Sequence, residues 1–446
     1  MTIPIIPARP VSYLTRRDLL RSSAKFGLSL PALGLTTTIL SCGGGSSSST
    51  PVPTPISDDD FLDQTERAAF QFFWEQASPV TGLIKDRAFA IGGQDNRPVA
   101  SIASTGFGLT ALCIGHKRGY GDATVIQSRV TMTLDFLLNQ LTHVHGFFYH
   151  FLDLDTGNRV WSSEVSSIDT SILLCGVLTC RQYFQDANIQ SMAAQIYQRV
   201  NWPWMLNGGT TFSMGWTPEN GFIPTNWDTY SELMMIYLLA IGSTTNPVAA
   251  SSWDAFARPT LTYQGLTYVT NTFAPLFIHQ YSHAWFDFRN KSDKYVNYFN
   301  NSVTATKAHK LFCISLKGQW PDYQSNLWGM TASDSVNGYT VWGGPPAMGP
   351  IDGSIVPCAA GGSIPFVPTD CLAVLRNIRS QYPQAWQRYG FVDAFNPLTG
   401  WFDADVIGID LGIAMLMAEN QRTNLIWNTF MANPDAQNAF QAVQLR

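Results

Sequence analysis

The chain has 446 residues, of which 45% are hydrophobic, 13% aromatic and 13% charged, and its formal net charge is -5. A chain of this length can bury a large core, while its mild acidity leaves no basic stripe for phosphate contacts and so excludes a nucleic-acid partner. The seven cysteines include no CxxC pair and no Cys/His cluster with metal-ligand spacing, so neither a zinc site nor a cofactor is expected.

Residues 1–42 read as a targeting segment rather than as part of the fold. Thr15-Arg16-Arg17-Asp18-Leu19-Leu20-Arg21 matches the twin-arginine export pattern, and an apolar run follows from Phe26 to Leu40. The run closes on Ile39-Leu40-Ser41-Cys42, which resembles a lipoprotein cleavage box with Cys42 as the lipidated residue. An apolar run this short is a poor spanning helix. The expectation is a periplasmic or surface protein that meets the membrane only through a lipid on Cys42. Residues 43–57, rich in Gly, Ser and Pro, form a tether, and residues 58–446 form one catalytic domain, expected to be a monomer.

After the tether, residues 58–78 have the pattern of an amphipathic helix with an acidic start and an aromatic face. Helices are predicted over 104–116 and 121–141. Residues 146–161 read as two short strands around the turn Asp155-Thr156-Gly157. Next comes Trp161-Ser162-Ser163-Glu164, then Ile168-Asp169-Thr170 at the head of an apolar run, where Asp169 is either a helix cap or a functional carboxylate. A helix near 186–200 and an aromatic loop over 202–227 lead to Tyr230-Ser231-Glu232, again an acidic residue at the start of an apolar helix. His283 within HQYSHAWFDF, Asp370 and Asp410 open further segments in the same way. The six starts are Ser104, Asp169, Glu232, His283, Asp370 and Asp410. The first interval of about 60 residues suits two helices plus loops. Six helical hairpins with apolar inner helices imply an all-α fold, an (α/α)6 toroid whose inner-helix starts share one face. The long segment from His283 to Asp370 is expected to be loop covering that face.

A floor of carboxylates under a rim of aromatic rings suits glycoside hydrolysis, which uses one carboxyl as acid and a second as base or nucleophile. Glu164, Asp169, Glu232 and Asp410 are the leading candidates, followed by Asp403, Asp405, Asp287 and Asp334. His279 and His283, four apart, would share a helix face. Without a third ligand nearby they are assigned to hydrogen bonding rather than to a metal.

Several long motifs then resemble one family. GFFYHFLDLDTG (146–157), WSSEVSSIDTSILLCGVL (161–178), SMGWTPENGFIP (213–224), HQYSHAWFDFR (279–289), NLWGMTASD (326–334), GFVDAFNP (390–397) and GWFDADVIGIDLGIAMLMAEN (400–420) are similar, in order, to the bacterial glucoamylase-like family related to β-1,2-glucanases of glycoside hydrolase family 144. The resemblance implies an (α/α)6 fold and hydrolysis of β-1,2-glucan by inversion. It implies Glu232 as general acid, and Glu164, Asp169 or Asp410 as the base. Trp161, Tyr149, Trp216, His283, Trp285, Asp287, Trp328, Asp334 and Asp405 within these motifs, with Tyr230 just before Glu232, are the residues expected to hold an oligo- or polysaccharide. The chain departs from the family pattern beside Asp410, with Leu411, Ile413-Ala414 and Val406 where Gln, Pro-Ile and Tyr are expected. Two competing functions follow from the same residues. One is a lipid-anchored glycan-binding protein on a hydrolase scaffold. The other is a polysaccharide lyase, disfavoured because the motifs hold few basic residues.

Overall fold

The structure is a computed structural model and describes residues 56–446. The export signal, Cys42 and the tether up to residue 55 lie outside the described residues.

Capping chemistry sets the helix starts. Ser57, followed by Asp58, Asp59 and Asp60, caps α1 (Asp58–Glu75), and Ser101 caps α2 (Ile102–Arg118). Asp122 caps α3 (Ala123–Asn139), Ser166 caps α4 (Ser167–Tyr183) and Asp186 caps α5 (Ala187–Gln198). In each case a side-chain oxygen accepts from a backbone N–H that the first helical turn leaves without a partner. The chain continues through α6 (Met234–Gly242), α7 (Tyr298–Ser315), α8 (Pro357–Gly361) and α9 (Pro368–Gln381). It ends in α10 (Gly408–Thr423), α11 (Leu425–Phe430) and α12 (Pro434–Ala442).

Two kinds of helix alternate. In α2, residues 102–115 are all buried, as are residues 167–180 of α4 and the whole of α6. A helix that is apolar all round must be enclosed by neighbours. Here α4 packs on α2 and α6, α2 packs on α10, and α10 packs on α8. By contrast α1, α5 and α9 each bury one face, with α1 lying on α2 and α10, and α5 on α3 and α4. The crossing of α2 and α4 depends on two glycines. A Cβ at Gly176 would stand 2.1 Å from the Gly106 carbonyl oxygen, and one at Gly106 would stand 2.5 Å from that of Ile172.

Short strands lead directly into three inner helices. Val99–Ser101 precedes α2 and pairs with Phe151–Asp153. Val165–Ser166 precedes α4 and pairs with Gly215–Thr217, and Asp405–Ile407 precedes α10 and pairs with Arg87–Phe89. These ladders fix the helix starts relative to one another. Among the described residues no helix is long and apolar enough to cross a membrane.

Four expectations are corrected. The strand Phe151–Asp153 finds its ladder on Val99–Ser101, and only a single bridge, Leu152 to Arg159, closes the predicted hairpin. The segment at His283 forms two 3-10 turns, Leu276–His279 and Tyr281–Ala284, in place of an inner helix. Its bulky rings spread sideways into the core, and Ser282 spends its hydroxyl on the chain at Glu232 and Met235. Asp370 opens an amphipathic outer helix and pairs with Lys310 at 2.8 Å, because the apolar residues Cys371 to Ile378 form one face only. Finally, the stretch between His283 and Asp370 is not all loop, since α7 supplies 18 residues of helix. Trp328 and Trp342 are buried in the core, so they do not line a rim.

Candidate active site

The start of α4 provides the first part of the site. Ser166 caps the helix by accepting from the Asp169 N–H at 3.2 Å, and its hydroxyl donates to Asp169 Oδ2 at 2.6 Å. One serine therefore both ends the strand and orients the carboxylate. Glu164 lies just before the same strand, and its carbonyl accepts from the His150 N–H at 2.9 Å. The His150 ring stacks on Phe151 with centroids 3.8 Å apart. Its Nδ1 stands 3.4 Å from Glu164 Oε1 and 3.5 Å from Asp169 Oδ2. Burial opposes charge on this imidazole, but Asp169 first and then Glu164 outweigh it, so its pKa lies above the ordinary value of 6.5. His150 thus stands between two buried carboxylates.

Glu232 reaches the site from the loop before α6. Its carbonyl accepts from Ser282 Oγ at 2.7 Å, and the same hydroxyl accepts from the Met235 N–H at 3.1 Å, which ties the loop to the 3-10 turn. Trp227 is held in turn, donating from Nε1 to Ser167 Oγ at 2.9 Å. Glu232, Glu164 and Asp169 line one cavity with His150, Trp227 and Phe273. A wider cavity of about 220 Å³ shares Trp227, Glu232 and Phe273 and extends to Asp228 and Asn271. On the other side, a cavity containing His150 and Asp169 runs on to Arg87 and Tyr339. The three adjoin through shared walls, as a groove for an extended ligand would.

Asp410 is placed differently. It is the third residue of α10, and Tyr281 Oη donates to its Oδ1 at 3.5 Å. It lines a mainly apolar cavity with Asp393, between α1, α8 and α10, whereas Ile407 and Ile409 border the groove. Three of the four leading carboxylates thus share a cavity, and Asp410 sits beside it.

The residues expected to hold sugar divide. Trp161 is 49% exposed and meets Phe151 edge-on at 5.1 Å. Trp216 is half-buried opposite Val165, and Tyr149 lies under the Arg159 guanidinium, 4.9 Å from the ring. The others are committed elsewhere. Tyr230 is buried against His279, with 3.1 Å between Oη and Nδ1, and Trp285 is fully buried with Nε1 donating to Thr110. His283 is buried, with its Nε2 3.1 Å from Ser302 Oγ, and burial lowers its pKa to about 3. Asp287 grips Arg289, which bonds Asn424 just past the far end of α10, roughly 20 Å from Asp410 at 1.5 Å per residue. These positions are corrected to structural roles, because large rings and unpaired carboxylates are stabilised most where they are enclosed or paired. Asp405 accepts both Arg97 donors, at 2.6 and 2.9 Å, and is a structural ion pair.

Asp334 belongs to a group that the sequence hardly announces. One carboxylate oxygen each from Asp334, Asp393 and Asp403 lies within 4.8 Å of the others. Arg87 donates to Asp334 Oδ2 at 2.5 Å. Burial, followed by the neighbouring carboxylates, pushes Asp403 up to about 7 and raises Asp393 well above its ordinary range. His150, Trp227 and Asp393 were not among the sequence candidates. His150 and Asp393 lay inside motifs whose neighbouring residues drew the assignment, and Trp227 closed the aromatic loop before Glu232.

A family model described as "Putative glucoamylase" matches residues 224–434. The chain is 29% identical over 432 residues to an exo β-1,2-glucooligosaccharide sophorohydrolase of Parabacteroides distasonis, covering 87% of this chain and 58% of that protein. It therefore spans less than two thirds of that relative. Its structure superposes on an endo-β-1,2-glucanase from Chitinophaga pinensis with a TM-score of 0.80 and 27% identity, covering 88% of this chain and 99% of the other. A β-1,2-glucanase from Parabacteroides distasonis gives 0.81 and 28%, over 87% of this chain and 60% of the other. By these matches the chain is related to the glucoamylase-like family and shares its fold with β-1,2-glucanases.

Proposed function

We propose that this protein is an exported glycoside hydrolase that cleaves β-glucan, with β-1,2-glucan as its substrate, by inversion between a carboxylic acid and a carboxylate base. The observation that carries the reading is the convergence of Glu232, Glu164 and Asp169 in one buried cavity. Two relatives named for β-1,2-glucan cleavage share its fold over nearly nine tenths of the chain, which supports the linkage.

In this mechanism Glu232 gives its proton to the glycosidic oxygen as the C1–O bond breaks. Glu164 or Asp169, which line the same cavity, takes a proton from water as that water bonds to C1. His150 stands 3.4 Å from Glu164 and 3.5 Å from Asp169 and, when protonated, balances part of their negative charge. Trp227 and Phe273 keep bulk water away from the forming cation, which strengthens every charge interaction inside. Trp161 and Trp216 would stack sugar rings along the groove.

The helices that are apolar all round, α2, α4, α6, α8 and α10, together with the turn at 281–284, are read as the inner ring of an (α/α)6 toroid. α1, α3, α5, α7, α9 and α12 form its outer ring. Residues 1–42 are proposed as a twin-arginine signal with lipid on Cys42, and residues 43–57 as the tether of a monomeric, periplasm-facing or surface enzyme.

The test is to incubate residues 58–446 with linear β-1,2-glucan and with β-1,3-, β-1,4- and α-1,4-glucans. Release of β-1,2-linked oligosaccharides, lost in Glu232→Gln, is the expected result. Sugar binding without release from any glucan would replace the hydrolase with a glycan-binding protein. An unsaturated product absorbing in the ultraviolet would replace it with a lyase.

A further inference from the structure

The carboxylates of Asp334, Asp393 and Asp403 come from three separate segments. Asp334 lies in the long segment before α8, Asp393 in the turn after the strand Gly390–Phe391, and Asp403 between the strands Trp401–Phe402 and Asp405–Ile407. Their contributed oxygens all lie within 4.8 Å of one another. Oxygens that share one calcium ion at about 2.4 Å cannot lie further apart than about 4.8 Å, a bound this group meets.

Two of the three carboxylates keep an oxygen for such a centre. Asp393 Oδ2 accepts from the Asp334 N–H at 2.6 Å, and Asp403 Oδ1 accepts from the Asp405 N–H at 3.2 Å. Asp393 Oδ1 and Asp403 Oδ2 meet no hydrogen-bond partner among the described residues. Asp393 is only 4% exposed, so water cannot readily satisfy that oxygen. A buried oxygen of this kind is costly unless something fills the position. Charge points the same way. Arg87 contacts Asp334 and also Asp86, so one guanidinium faces more negative charge than it can balance. Lys85 and Arg97 are engaged with Asp95, and Arg97 with Asp405.

We propose that Asp334, Asp393 and Asp403 form a calcium site that ties three loops together beside the groove. Oxygen-only donors from irregular loops suit Ca²⁺, which accepts six to eight ligands in flexible geometry, better than Mg²⁺, which demands a near-ideal octahedron. The ion would replace mutual repulsion of three carboxylates by attraction to one cation. It would hold the strand Asp405–Ile407, and with it the start of α10, against the loop carrying Asp334. The site does not depend on the glycosidase reading, and its test uses no substrate.

The experiment strips the full-length protein with EDTA and titrates it with CaCl₂ by calorimetry, with MgCl₂ as a second arm. Thermal melting is followed with and without each metal. One site per chain is expected, with Ca²⁺ preferred and a dissociation constant of about 1 mM or tighter. At 100-fold excess over that constant the melting temperature is expected to rise by about 3 °C or more. Asp393→Asn and Asp403→Asn are each expected to weaken binding at least tenfold, and Asp370→Asn to leave it unchanged. Absence of binding heat and of any Ca²⁺-dependent melting shift overturns the proposal. So does binding that survives both Asp393→Asn and Asp403→Asn. If Asp393→Asn does not fold, Asp403→Asn decides alone. A variant that melts higher than a wild type blind to Ca²⁺ would show three carboxylates sharing protons in place of an ion.

Discussion

Removing the imidazole at position 150 tests how the acidic wall of the groove is held. His150 Nδ1 stands 3.4 Å from Glu164 and 3.5 Å from Asp169, with Asp86 as a further source of negative charge. All three residues of the contact are buried. Deleting one member of a buried ion pair leaves an uncompensated charge, which costs about 3–5 kcal/mol. His150→Gln keeps the bulk and a donor but not the charge, so a loss of about 3 kcal/mol or more at pH 6 is expected. The pH dependence has a definite sign. Because the folded pKa is raised above 6.5, the contribution of His150 is fully present below that value. It is lost as pH rises through the higher folded pKa. Urea titrations of wild type and His150→Gln between pH 5 and pH 9 should therefore show curves that converge as pH rises. A difference in stability that stays flat across that range, or a loss below about 1 kcal/mol at pH 6, would refute the imidazolium assignment.

Other predictions separate chemistry from packing. Glu232→Gln should cut glucan hydrolysis by about 10²–10⁴-fold while circular dichroism and melting stay near wild type, since general acid catalysis is worth about that much. Gly176→Ala should destabilise by about 1–3 kcal/mol or more in denaturant titration, because the new Cβ would stand 2.1 Å from the Gly106 oxygen. Trp285→Ala should cost about 3–5 kcal/mol by loss of a filled core position. Trp161→Ala should leave stability within about 0.5 kcal/mol and instead raise KM for long glucans.

What was legible in the sequence was local and had a polarity of its own. Ser166 followed by Asp169 announces a helix start through neighbours three residues apart, and α4 begins there, whereas α2 begins at Ile102, two residues before the predicted start at Ser104. Glu232 was read from the same signal, although its helix begins two residues later because Ser282 draws the backbone into a turn first. Signals that depend on lateral partners were not available in the chain. His150 carries nothing to show that it will stand between Glu164 and Asp169, because the strand Phe151–Asp153 that places it is paired with Val99–Ser101, about 50 residues away. The same limit misplaced the tryptophans. A ring at Trp285 or Trp328 is as aromatic as one at Trp161, and only the packing of surrounding helices separates a core ring from one at a groove mouth. Asp370 failed for a related reason: an acidic start and five apolar residues do not reveal whether the far face of the helix is also apolar, and in α9 it carries Arg376 and Arg379. Carboxylates are the clearest case. Asp403 and Asp405 are two apart on one strand approach, yet one is clamped by Arg97 and the other faces Asp334 and Asp393. Spacing placed both near the site, and which of them meets an arginine was decided by residues some 300 positions away.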